Sequence, residues 1–271
     1  MNVVSGLNIQ GLVLNTEDNF NSIPGLVQWN DTRRALTMYD ETKITSWGDR
    51  SVQPTLLRES RPDRMPVLDN GLWVKSESNI TSLYALNTDY RFLHNGSKFA
   101  VYSLMKNTLA TGTAITANSP FRTGSNITTG LVLTVSNASN GRFQATLRGG
   151  ATVPAKEVSG FLNPAASNYT PNSSIVITAC VNLGQNLGVK LRYGNAVVTL
   201  PPFFNTLAEY PTGQNGFFVA AQGQAGMTIR EGMLLIYDWT GYSGANVTEF
   251  DNRVMNLFNT EKLIFENLDA S

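Results

Sequence analysis

Of the two side chains most used as nucleophiles, proton relays and zinc ligands, the 271 residues contain one cysteine and one histidine. A single Cys180 excludes an intrachain disulfide framework. It lies in the apolar run Ile175-Val-Ile-Thr-Ala-Cys180-Val181, where a buried, inert thiol is expected. His94 sits in Leu93-His-Asn-Gly-Ser97, which reads as an exposed turn. No Gly-x-Ser-x-Gly elbow accompanies it, so the pattern of a Ser-His-Asp hydrolase is missing. His94 and Cys180 are too far apart in sequence for the ligand spacing of a zinc site.

Charge is scarce as well. Charged residues make up 15%, twenty basic against twenty acidic, with no run of one sign. A nucleic-acid binder needs a basic stripe to displace phosphate counterions, and none is present, so no nucleic-acid partner is expected. No apolar stretch approaches the roughly 20 residues of a membrane span, so no membrane partner is expected either. The opening MNVVSGLNIQGLVLN lacks both a charged n-region and a continuous apolar h-region, so a secretory signal is not expected.

Hydrophobic residues, at 42%, are ample for a core, and polarity is carried by Asn, Ser, Thr and Gly. Those side chains compete for backbone hydrogen bonds, weaken helices and favour turns. Strand signals follow one another: Phe99–Met105 and Leu131–Val135 are apolar runs, and Arg142–Arg148 alternates apolar with polar. Ser174–Val181 and Leu187–Tyr193 form a pair, and Phe217–Ala221 and Met227–Tyr237 complete the series. Short strands at such spacing predict a sandwich or barrel. One amphipathic helix of about three turns is predicted, with Asn246 as N-cap, Glu249 at N3, and Val247, Phe250, Val254, Leu257 and Phe258 on one stripe. Residues 1–25 read either as a leader that docks on a partner or as a first strand, with Gly11–Leu14 as its apolar part; residues 26–271 read as the main domain.

Three stretches resemble the concanavalin A-like lectin/glucanase superfamily in its laminin G-like form. They are Leu26-Val-Gln-Trp29-Asn-Asp31 with Ile44-Thr-Ser-Trp47-Gly-Asp49-Arg-Ser51 and Arg61-Pro62; then Phe99–Lys106; then Arg230-Glu231-Gly-Met-Leu-Leu-Ile-Tyr237, the helix, and Lys262-Leu-Ile-Phe265 as a last strand. The resemblance covers residues 26–266. It implies an all-β fold, a two-sheet antiparallel jelly-roll β-sandwich with one short C-terminal helix. Domains of this form without a signal sequence are frequent in bacteriophage structural proteins. The implied role is therefore a non-catalytic virion component, a head or tail decoration or fibre, located in the virion. The implied partners are other virion proteins, further copies of the chain in a homo-oligomer, and surface glycans. The alternatives are a carbohydrate-binding module outside a virion, or a glycoside hydrolase.

Hydrolases of this superfamily carry Glu-x-Asp-x-x-Glu on one strand face, with one acid as nucleophile and one as acid/base. The nearest match, Glu249-Phe-Asp251-Asn-Arg-Val254, replaces the last acid and falls on the predicted helix, so no catalytic residue is assigned and these acids read as a solvated helix start. No cofactor is expected beyond the calcium that lectins of the superfamily hold with loop oxygens, for which Asp31, Asp49, Asp63 and Asp69 are candidates by residue type. Trp29 and Trp47 read as core residues whose indole N–H finds a polar neighbour. The loop Asp238-Trp239-Thr-Gly-Tyr242-Ser-Gly244 is the candidate binding site: Trp239 and Tyr242 form a sugar-stacking platform or intersubunit anchor, or else Trp239 covers the helix–sheet junction.

Overall fold

The computed structural model describes residues 19–34, 36–51, 57–75, 83–86, 90–93, 97–107, 118–122, 132–137, 143–149, 156–162, 175–184, 187–194, 196–200, 216–221 and 229–271. The strands β1 (Leu26–Asp31), β5 (Val67–Asp69), β6 (Trp73–Lys75), β8 (Phe99–Asn107), β13 (Ile175–Asn182), β14 (Val189–Tyr193), β15 (Ala196–Leu200) and β17 (Ile229–Asp238) form one sheet. Its order is β15-β14-β13-β8-β17-β6-β5, and β1 shares with β6 the edge of β17 that β8 leaves free. The second sheet holds β2 (Leu36–Met38), β3 (Ile44–Trp47), β4 (Leu57–Arg58), β7 (Leu83–Leu86), β9 (Asn118–Arg122), β10 (Val132–Asn137), β11 (Phe143–Gly149), β12 (Lys156–Leu162) and β16 (Gly216–Ala221). It runs β12-β11-β10-β9-β16-β7-β4-β3-β2, and every pairing in both sheets is antiparallel.

The first sheet is covered on both sides, which explains the unbroken apolar runs in its central strands. Along β8, Phe99, Val101 and Met105 face the second sheet, while Ala100, Tyr102 and Leu104 face a helix. Strand β17 divides the same way, with Leu234 and Ile236 on one side and Met233, Leu235 and Tyr237 on the other. Cys180 of β13 is fully buried between the sheets, and that burial pushes its thiol pKa up. The burial of this thiol is what the sequence predicts.

The helix α1 spans Gly244–Asp269, 26 residues, and its length corrects the expectation of three turns. Phe265 continues the buried stripe of Val247, Phe250, Val254 and Phe258, so Lys262–Phe265 belongs to the helix instead of a last strand. Phe265 lies seven residues beyond Phe258, two helical turns on, and so falls on the same buried face. Lys262 and Glu266 add an i,i+4 ion pair on the polar side. The N-cap is Ser243, whose Oγ accepts from the Asn246 backbone N at 3.2 Å and donates to Asn246 Oδ1 at 2.9 Å. Asn246 is thus the third residue of the first turn, and Ser243 carries the capping assigned to it from sequence.

A 3-10 turn at Phe20–Ser22 precedes β1 and belongs to this helix-side layer. Phe20 is 2% exposed and packs edge-on against Trp29 and Phe258, and Ile23 is buried beside it. The Gly11–Leu14 segment lies outside the described residues.

The second sheet alternates instead. Register places Leu83, Val219, Phe121, Leu133, Leu147 and Val158 in one row, and Leu36, Trp47 and Leu57 in line at the other end. Trp47, Leu57, Leu83 and Phe121 are buried, which marks this side as the one facing the core.

Candidate binding surface

The loop after β17 does not present its tryptophan. Trp239 is 0% exposed; its Nε1 donates to Pro24 O at 2.9 Å, and its ring stacks on Tyr237 with centroids 5.2 Å apart. It therefore covers the helix–sheet junction, the second of its two expected roles, and its ring offers no face for a sugar to stack on. Tyr242 is half-buried, set edge-on against Phe250 with centroids 5.1 Å apart, so part of its ring remains at the surface. The loop is fixed from below by Gly25, whose carbonyl O accepts from Asp238 N at 2.8 Å.

Trp29 and Trp47 are core residues, yet they lie in different layers. Trp47 is between the sheets and Trp29 is on the helix side. Neither Nε1 has a hydrogen-bond partner, which differs from the sequence expectation. For Trp29 the Arg50 guanidinium stacks over the ring at 4.0 Å from its centroid, so the indole is engaged through its π face instead.

The aspartates proposed for calcium have other work. Asp31 is fully buried and takes Arg33 N at 3.0 Å and Arg33 Nε at 2.9 Å, and Arg33 also reaches Glu261 on the helix at 2.7 Å. Asp49 accepts from Trp29 N and Ser51 N, both at 2.8 Å, and so closes its own loop. Asp69 pairs with Arg230, and Asp63 is exposed beside Arg64. Among the described residues no three His, Cys, Asp or Glu side chains converge. His94 lies outside the described residues.

The broken acid motif divides in a way the sequence does not reveal. Glu249 is exposed, but Asp251 is fully buried. It accepts from Tyr102 OH at 2.9 Å and pairs with Lys190 at 3.1 Å and with Arg192. Burial pushes the Tyr102 hydroxyl well above its ordinary pKa, and the Asp251 charge adds to that. The reading of Asp251 as a solvated helix start is therefore corrected: it is the charged bolt between α1 and the β8, β14 strands. Glu231, also fully buried, accepts from Ser103 Oγ at 2.9 Å, and Glu59 accepts from Ser60 N and Arg61 N. Each buried carboxylate among the described residues is thus held by a cation, a hydroxyl or backbone N–H groups. Such groups anchor structure; general acid/base chemistry needs a carboxylate within reach of a substrate.

The outward side of the nine-stranded sheet is different in kind. One residue along each strand from the buried row, register aligns Thr37, Ser46, Arg58, Tyr84, Phe218, Arg122, Val132, Arg148 and Glu157. Arg58 and Thr37 are exposed. Among the described residues the helix is layered on the other sheet only. Sequence reasoning missed this row because it exists only across strands, between positions up to 181 residues apart; the arginines and aromatics of Phe217–Ala221 and Arg142–Arg148 read as ordinary strand residues.

Neither a protein family nor a curated protein matches the sequence. Solved structures do match. The botulinum neurotoxin serotype D binding domain is 11% identical, with a TM-score of 0.53 over 85% of this chain and 51% of that one. The shared fold is a lectin-like β-sandwich. A structure of botulinum neurotoxin type C, whose cell entry is dependent upon interaction with two ganglioside molecules, is 8% identical, with a TM-score of 0.53 over 84% of this chain and 51% of that one. A serotype D domain in complex with N-acetylneuraminic acid is 10% identical, with a TM-score of 0.52 over the same shares. The chain spans about half the length of these domains, and at such identities the likeness establishes the fold alone. Among the described residues no helix is long and apolar enough to cross a membrane.

Proposed function

We propose that the chain is a non-catalytic binding domain that adheres to surface glycans, as a head or tail decoration or fibre component of a bacteriophage virion. The observation that carries the adhesion reading is the pairing of a lectin-like β-sandwich with a described interior whose acids are all engaged structurally. Neighbours of this fold interact with gangliosides and with N-acetylneuraminic acid, which supports glycans as the ligand class. Those ligands belong to whole domains about twice this chain's matched length, so they guide the choice of ligand class and leave the site open.

The virion setting rests on the sequence resemblance and the neutral, Asn- and Thr-rich composition. Proteins of that kind assemble as symmetric oligomers with the sheet edges or leader at the interface. A broad glycan array probed with assembled full-length protein is the primary test. Reproducible signal on one glycan class is expected, and a blank array overturns adhesion. Mass spectrometry of purified particles is expected to find the chain, and its absence overturns the virion setting. Light scattering is expected to give a closed oligomer instead of a monomer.

A further inference from the structure

We propose that the row Arg58, Tyr84, Phe218 and Arg122, on the outer side of the nine-stranded sheet, is a docking site for acidic saccharides that carry a carboxylate. This rests on the glycan-adhesion reading and gives it a surface and a ligand class.

The row follows from pairing alone. Arg58 of β4 is opposite Tyr84 of β7, Tyr84 is opposite Phe218 of β16, and Phe218 is opposite Arg122 of β9. Directly opposed residues share one sheet face, and each neighbour along a strand takes the other. Leu57 and Phe121, the chain neighbours of the two arginines, are buried at 0% and 1%, whereas Arg58 is exposed. All four positions therefore lie on the face away from the core. Three interstrand spacings separate the arginines, about 14 Å in all.

The order is cation, aromatic, aromatic, cation. A guanidinium presents a planar fork that matches a carboxylate with two parallel hydrogen bonds, and its weak hydration lowers the cost of docking. The two aromatic positions between suit the apolar C–H face of a sugar ring, with hydroxyls left at the rim. The row continues through Val132 to Arg148, so three arginines stand against the single Glu157 at its far end. In a chain with twenty charges of each sign and few charges overall, that local excess favours an anion. Two residues further along, Thr134, Thr146 and Ser159 are aligned on the same face, adding hydroxyl-bearing positions beside it. A polynucleotide would need a denser basic track to release its counterions, which three arginines spread over five strand spacings, about 24 Å, do not supply. A sugar carboxylate needs one fork.

The test uses the full chain, with 3′-sialyllactose, its methyl ester, lactose and a single-stranded oligonucleotide as probes in calorimetry or ligand-observed NMR. The unmodified protein is expected to bind sialyllactose at least about tenfold more tightly than lactose, the order expected of one charge-assisted hydrogen-bond pair. The methyl ester, which removes the carboxylate charge without touching the protein, is expected to bind no better than lactose. In the double variant R58Q/R122Q the preference for the acid is expected to vanish, and F218A is expected to weaken acid and neutral sugar alike. Retained preference in R58Q/R122Q, equal affinity for the ester and the acid, or an oligonucleotide held as tightly as the acid overturns the proposal. If the array shows only neutral glycans and the row variants bind them unchanged, the site falls while adhesion stands. If no glycan of any class binds, both fall together.

Discussion

The two sheets obey different rules. The eight-stranded sheet is covered by α1 on one side and by its partner sheet on the other, so its central strands alternate between two dry environments, and the charges there must pair. The nine-stranded sheet has one described cover, and its strands alternate between a core side and an outer side on which, among the described residues, Thr37 and Arg58 are exposed. On the covered sheet a charge is a structural commitment, as with Asp251 between Tyr102, Lys190 and Arg192. On the other sheet Arg58, in the outer row, is exposed to solvent. The same residue type thus carries opposite information on the two sheets, and the number of layers decides which.

Removing Asp251 is expected to have the largest effect. Asp251→Ala leaves Lys190 and Arg192 facing one another at the helix–sheet seam, and Tyr102 OH without its acceptor. Stripping one partner from a buried ion pair typically costs about 3–5 kcal/mol. Urea unfolding checks this against Glu249→Ala, an exposed acid two residues away, which is expected to change stability by less than about 0.5 kcal/mol. Similar costs for the two would mean that Asp251 is not the bolt.

Gly25 and Gly71 make a narrower comparison. Both hold positive φ, +84° and +66°, which costs an L side chain about 1–2 kcal/mol. A Cβ on Gly25 would overlap Asp238 O, whereas one on Gly71 meets nothing within 4 Å. Gly25→Ala is expected to cost more than about 2 kcal/mol and to loosen the Trp239 anchor. Gly71→Ala is expected to cost about 1 kcal/mol, from strain alone. Differential scanning calorimetry of the pair reads the difference.

The covered sheet was the legible one. Its strands Phe99–Asn107, Ile175–Asn182 and Ile229–Asp238 stand out as long apolar runs, and the capping and periodicity around Val247–Phe258 show the helix. The helix's last three turns were hidden because Lys262-Leu-Ile-Phe265 satisfies a strand pattern as well as a helical one, and only the packing of Phe265 in line with Phe258 decides between them. Trp239 was ambiguous for a related reason: its carbonyl partner, Pro24, is 215 residues away. The open row was invisible because register between β4, β7, β16 and β9 is set by pairing across the whole chain. Asp251 was misread since a carboxylate near a helix start is favourable in solvent too, and nothing local announces Lys190 and Arg192.

Alkaline pH probes the covered sheet through three protons. Burial pushes the hydroxyls of Tyr102 and Tyr237 well above their ordinary pKa of 10.0, and the Cys180 thiol above 9.0. Unfolded, these groups would release their protons near the ordinary values, while the folded chain retains them. Their contribution is therefore fully present below about pH 9 and is lost as pH rises through and beyond that point. The urea midpoint is expected to be level from about pH 7 to 8.5 on this account and to fall above pH 9. Tyr237→Phe is expected to cost about 1 kcal/mol at neutral pH, from the bond to Phe20 O, and to flatten part of the alkaline fall. An unchanged alkaline slope in that variant would show that Tyr237 ionises in the folded state as it does in the unfolded one.

The smallest expected effect lies on the open sheet. Arg58 is exposed and in register with Ser46 and Tyr84, and its strand partner in sequence, Leu57, does the core packing. Arg58→Gln is therefore expected to move stability by less than about 0.5 kcal/mol while Leu57→Ala costs about 2–5 kcal/mol. Adjacent residues on one two-residue strand would then differ several-fold in what they give the fold. A large stability loss in Arg58→Gln would place Arg58 in the structural network of the sandwich, and the open face would then obey the rule of the covered one. A silent substitution leaves the arginine with no role inside the molecule, which is the condition under which a residue on an open sheet is kept for something outside it.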